Sequence, residues 1–126
     1  MKNRLILSAV LFCILTACIT LVSCGNPAGG GGDYTVMYQI TGPQTIADFI
    51  VYHNETNGMD QITNVPIPWE KTIHIQGRSK GISCGATIYS ALDSGFTYTA
   101  KIFVNGREIA SSSSSSGSIS VSGVTQ

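Results

Sequence analysis

The chain is poor in charge, in aromatic residues, and in cysteine wherever a folded domain would use it. Charged residues make up 11% and aromatics 8% of its 126 residues, with a single tryptophan. So low a charge density excludes both an acidic disordered tail and a coiled coil. Basic and acidic residues number seven each; setting aside Lys2 and Arg4 in the N-terminal segment leaves five against seven, a net of −2. Without a basic excess there is no electrostatic footprint for nucleic acid, and none is expected as a partner. Three of the four cysteines lie within the first 24 residues, so Cys84 has no partner and no disulfide framework is expected. The region beyond the N-terminus also lacks a phosphate loop and a dinucleotide fingerprint.

What is present starts with an export segment. Met1-Lys2-Asn3-Arg4 is a short basic start, followed by an apolar stretch from Leu5 to Val22 broken only by Ser8, Thr16 and Thr20. Such a stretch partitions into a bilayer with its positive end held in the cytoplasm, so whatever follows is carried outside. Two tetrads end in cysteine as lipid-attachment boxes do, Leu15-Thr16-Ala17-Cys18 and Leu21-Val22-Ser23-Cys24. Cleavage before Cys18 would leave Ile19-Thr20-Leu21-Val22 on the mature chain. Cleavage before Cys24 leaves Gly25-Asn26-Pro27-Ala28 and four glycines, so Cys24 is the better lipidation candidate. The alternative is an uncleaved helix, since Leu5–Val22 is at the lower limit of about 18–20 residues needed to span a membrane. The expectation is therefore a signal peptide over 1–23, a lipidated cysteine and flexible Gly-rich tether over 24–32, and one small domain over 33–126. A lipoprotein leader implies a bacterium. Gly25 is not the acidic residue typical of inner-membrane retention, which points to the outer membrane where the host has one.

From Asp33 onward no helical periodicity emerges, and β-branched and aromatic residues cluster between turn signals. Tyr34, Val36, Tyr38 and Ile40 alternate along a first strand. A Gly42-Pro43 turn follows, and Thr45–His53 carries apolar groups on both faces, which reads as a strand covered on both sides. Asn57-Gly58 and Asn105-Gly106 are hairpin signals, while Pro66 and Pro68 mark an edge or a crossing. Further strands are expected over Met59–Val65, Lys71–Ile75, Ile82–Ser90, Phe96–Val104, Arg107–Ala110 and around Ile119–Val124. The serine run Ser111–Ser116 has no apolar side chain to bury and is expected to be a loop. Seven or eight short strands with regular turns predict an all-β fold, a small immunoglobulin-like β-sandwich.

Few residues offer chemistry. Cys84 has no neighbouring base in its sequence context and reads as a buried filler between Ile82 and Ile88. His53 and His74 sit on different strands at no metal-ligand spacing, and the acidic residues Asp48, Glu55, Asp60, Glu70, Asp93 and Glu108 are scattered, so neither a metal site nor a carboxylate pair is expected. Asn54-Glu55-Thr56 fits a glycosylation acceptor, discounted for a bacterial lipoprotein. Trp69 follows Ile67-Pro68 and reads as a core plug, with partner contact as the competing role. No catalytic residue, cofactor or metal is expected.

The order of these pieces resembles the mycobacterial membrane protein small (MmpS) family. The matching residues are Val36, Tyr38, Ile40, Gly42 and Pro43, then Ala47 opening the second strand, Pro68-Trp69, and Lys101-Ile102-Phe103-Val104-Asn105-Gly106. Together they span Tyr34 to Gly106. The resemblance implies an exported β-sandwich that is an accessory of resistance-nodulation-division (RND)-type exporters of lipids and siderophores, with that transporter as partner. This chain departs from the family in its lipid-attachment box, in its serine-rich tail, and in lacking the cysteine pair near the last hairpin, where Ala100 stands in the place of the first. A membrane-anchored, non-enzymatic transport accessory is the leading expectation, and a stand-alone surface module binding a glycan or protein is the alternative.

Overall fold

The computed structural model describes residues 32–92 and 94–126. The signal segment, Cys18, Cys24 and the tether up to residue 31 lie outside the described residues. The domain is all-β, with six antiparallel strands: β1 (Asp33–His53), β2 (Met59–Gln76), β3 (Gly81–Thr87), β4 (Tyr98–Val104), β5 (Arg107–Ser114) and β6 (Ser118–Val124). A single 3-10 turn, Tyr89–Ala91, interrupts the connection from β3 to β4.

Two of the six strands are long enough to serve twice. β1 pairs with β2 along its whole length, with a register shift between Ile40 and Thr45. Before the shift, Val36–Thr41 of β1 pairs with β4; after it, Phe49–Tyr52 pairs with β3. β4 in turn pairs with β5, and β3 with β6. The β1–β2 ribbon thus folds over at Gly42-Pro43 and contributes two strand segments to each of two four-stranded layers. The eight segments expected from the sequence are all present, joined into six continuous strands because both bends keep strand geometry. Only glycine fits at the bend: a Cβ on Gly42 would lie 2.4 Å from the Tyr98 ring.

The core lies between the layers. Val36, Tyr38 and Ile40 of β1 are fully buried against Ala100 and Ile102 of β4, and Ile50, Ile67, Ile73, Ile75, Ile82 and Ile88 complete the fill. Burial at about 25 cal/mol per Å² makes this isoleucine-rich interior the main source of stability. Thr45–His53 is not covered on both sides, as its apolar pattern suggested. Ala47 is buried, then Ile50 and Tyr52, whereas Ile46 is exposed and Phe49 and Val51 are half-buried. The buried parity changes between Ala47 and Ile50, opposite Asn64, which sits at φ 54. A face switch in a twisted ribbon, not double cover, explains apolar residues on both faces.

The serine run is also corrected. Ser111–Ser114 belongs to β5, with Ser112 and Ser114 half-buried and Ser111 and Ser113 exposed. Ser112 and Ser114 oppose Ala100 and Tyr98 on the inward face. Small side chains there let the edge of β5 approach β6: a Cβ on Gly123 would come within 2.7 Å of Ile109 and 3.7 Å of Ala110. Two strand ends also move. Phe96 and Tyr89, expected in strands, lie in the β3–β4 connection and are more than half exposed. Asn105-Gly106 is the tight hairpin expected, with φ of 50 and 80. The Asn57-Gly58 turn is wider, because the Asn54 side-chain oxygen accepts from the N–H groups of Thr56 and Gly58 at 3.1 and 2.9 Å.

Candidate functional site

The topology gives the sandwich two dissimilar ends. One end, here the near end, holds the start of β1, the Asn54–Gly58 turn, the crossing loop 77–80, the Asn105-Gly106 hairpin and the end of the chain. Thr35 and Asn105 tie the start of β1 to that hairpin: Asn105 N–H donates to Thr35 O at 2.8 Å, and Thr35 N–H donates to Asn105 Oδ1 at 2.9 Å. The far end holds the β1–β2 bend, the β3–β4 connection and the turn 115–117.

At the far end, the connection exposes its large side chains. Tyr89, Leu92 and Phe96 are between 51% and 59% exposed, and Ile46 on the neighbouring bend is 57% exposed. Two bonds bring them together: Asp48 Oδ2 accepts from Tyr89 N–H at 2.7 Å, and the Thr45 and Ser90 hydroxyls lie 3.0 Å apart. Gly117 supports the loop from below, its carbonyl accepting from Ile88 N–H at 2.7 Å. Its φ of +77 suits glycine, and a Cβ there would press on Leu92 at 3.0 Å. No lysine or arginine occurs in these far-end segments. Exposed apolar patches on small proteins are often interaction sites, and these side chains sit on a loop held by the bonds above.

At the near end, a concavity of about 600 Å³ opens between the β4–β5 hairpin and the end of β6, lined by Val104, Arg107, Glu108, Ile109 and Val124 among others. A smaller one of about 330 Å³ lies in the seam between the layers along β2, lined by Tyr52, Asn54, Glu55, Asp60, Lys71 and Ile73. Asp60 there accepts from Asn54 Nδ2 at 2.8 Å. Burial raises the Tyr52 phenol above its ordinary range, and the neighbouring Asp60 carboxylate adds to the shift.

The residues singled out from sequence do not converge. Cys84 is 2% exposed, and burial pushes its thiol up to about 12, so it stays protonated and unreactive at neutral pH. Burial likewise raises the Tyr38 phenol, with Cys84 and Tyr52 contributing; its buried hydroxyl has no hydrogen-bond partner among the described residues. Trp69 is half-buried and packs on the core, its ring 5.6 Å from that of Tyr52, which lies 5.8 Å from Tyr38. Trp69 is not part of the far-end patch. His53 Nδ1 accepts from Ser83 N–H at 3.0 Å, and His74 Nδ1 lies 3.4 Å from the Thr35 hydroxyl on the other layer. Among the described residues no three His, Cys, Asp or Glu side chains group as metal ligands would. The far-end patch escaped the sequence reading because Tyr89 and Phe96 look like strand residues; Leu92 between turn-forming residues was the one available signal.

No protein-family model and no curated protein sequence matches this chain.

Proposed function

We propose that the protein is a lipid-anchored, non-enzymatic accessory of an envelope assembly, held to its membrane through Cys24 and contacting a partner protein through its far end. One observation carries the reading: the exposed apolar loop lies at the end opposite the start of β1. A tether of eight residues reaches about 15 Å, and a seven-residue strand adds about 23 Å. The patch is thereby presented some tens of Å above the bilayer, within reach of a membrane-embedded protein with extracytoplasmic mass. The resemblance to the MmpS family supports an RND-type exporter of lipid or siderophore-like cargo as that partner.

Co-purification from detergent-solubilised membranes tests this. The wild-type chain should retain a membrane protein that the exposed-loop variants Leu92→Ser and Phe96→Ser lose, with melting temperatures within a few degrees of wild type. Equal retention by the variants would sink the far-end contact. The alternative, a module for a glycan or another soluble ligand, is favoured only by the seam concavity, where Asn54, Glu55, Asp60 and Lys71 offer hydrogen-bonding groups. Ligand binding abolished by Asp60→Asn and untouched by Leu92→Ser would select it.

A further inference from the structure

We infer that the seam concavity binds a small zwitterion of amino-acid size, its amine held by carboxylates on one wall and its carboxylate by a lysine on the other. This takes up the seam that the alternative reading invokes and gives it a ligand class. The seam shares no residue with the far-end loop, so the contact proposed there is judged separately.

The fold builds two walls of opposite sign. Among the described residues β2 pairs only with β1, so it is the edge strand of both layers, and the concavity lies where its two halves approach. Along one half, Trp69, Lys71, Ile73 and Ile75 share a face by the period of two, with both isoleucines buried. That parity aims Lys71 into the seam. Along the other half, Asp60 alternates with Ile62, which packs on the core, and opposes Tyr52 across the β1–β2 ladder. Asn54, Glu55 and Thr56 of the turn complete the acidic side.

The walls do not neutralise each other. Among the described residues Lys71 has no carboxylate within ion-pair distance, although Glu55 and Asp60 line the same concavity of about 330 Å³. That volume is at the lower end of the roughly 300–1,000 Å³ typical of small-molecule sites. Asp60 is held in place, its Oδ1 accepting from Asn54 Nδ2 at 2.8 Å, while Asn54 Oδ1 accepts from Thr56 and Gly58 N–H. The base is formed by Ile73 and Tyr52, 2% and 5% exposed, on which the carbon atoms of a ligand can rest. An ammonium donates to carboxylates, and a carboxylate accepts from a lysine ammonium. A neutral sugar would answer neither charge, and a ligand with one charge would answer only one wall.

The test is saturation-transfer difference NMR on the full-length chain in detergent micelles. Glycine, β-alanine and γ-aminobutyrate present both charges at increasing separation, ethylamine and acetate present one each, and glucose presents none. At least one zwitterion should give a signal about five-fold above the other three compounds, the gain expected from one additional exposed ion pair. Lys71→Met should bring that zwitterion down to the ethylamine level and leave ethylamine unchanged. Glu55→Gln/Asp60→Asn, which keeps an acceptor for Asn54, should bring it down to the acetate level and leave acetate unchanged. Leu92→Ser should alter none of these signals, so its effect on partner retention bears on the far-end contact alone. No signal from any zwitterion, a glucose signal as strong, or zwitterion signals unchanged in both wall variants would overturn the inference. So would thermal unfolding of the ligand-free chain in which Lys71→Met and Asp60→Asn each lower the midpoint but lower it no further together, because the walls would then pair with each other.

Discussion

At Cys84 one side chain carries both a packing and a titration consequence. Its thiol moves from an ordinary 9 to about 12 because ionisation would place a charge between the layers. The folded value lies above the unfolded one, so the associated stability is complete below pH 9 and is lost as pH rises from 9 toward 12, with a limiting slope of about 1.4 kcal/mol per pH unit per proton. Urea midpoints should therefore fall between pH 8 and 10.5, and less steeply in Cys84→Ala, which itself should cost about 1–2 kcal/mol at neutral pH through a small cavity. A thiol reagent should modify Cys84 only on unfolding; rapid labelling of the native protein would contradict its burial. Trp69 is the second residue at which the fold is exposed to a single change. Its ring covers Tyr52 at the open seam, and Trp69→Ala should cost about 3 kcal/mol, the lower end of the range for large aromatics because the ring is only partly buried. Unfolding must be followed by circular dichroism, since the variant contains no tryptophan. An unchanged midpoint would free Trp69 for partner contact.

Among the elements, β5 departs most from what its composition suggests. Serine contributes nothing to a core, yet Ser111–Ser114 continues the alternation begun at Ala110 because β4 supplies a ladder partner for each serine. The outward Ser113 hydroxyl lies 2.8 Å from that of Thr99, and the inward Ser112 faces the seam with β6. Paired substitutions distinguish strand from loop. Ser112→Asp should destabilise by about 2 kcal/mol or more, since it forces an unpaired charge toward the closing seam. Ser113→Asp, pointing to solvent, should stay within about 0.5 kcal/mol. Equal small effects would mean that the run behaves as a loop. The bend in β1 has the same character: Gly42 is required by the Tyr98 ring against it, and Gly42→Ala should cost about 1–3 kcal/mol through overpacking, measured by thermal unfolding.

For the whole molecule the decisive relation is between the two ends and the chain's start. Labelling cells with a radioactive fatty acid should mark the wild type and spare Cys24→Ala. Label lost in Cys18→Ala instead would move the attachment six residues earlier and leave Ile19–Val22 on the tether. The β1 start is fixed beside the Asn105-Gly106 hairpin, at the end opposite the Tyr89–Phe96 connection.

Local chemistry made much of this protein legible in its sequence. The alternation of Val36, Tyr38 and Ile40, the Asn105-Gly106 hairpin and the burial of Cys84 follow from side-chain period, turn geometry and the absence of a thiol partner, all of which act over a few residues. Three features required tertiary structure. The joining of eight segments into six strands depends on whether Gly42-Pro43 turns the chain back or merely bends it, and the pairing of β1 with three partners decides that. The serine strand depends on β4 lying alongside, which no property of serine announces. The far-end apolar patch and the near-end concavity are assembled from segments as far apart as Ile46 and Phe96, or Val104 and Val124. Their meeting is set by strand order, a long-range property that the residues themselves do not carry.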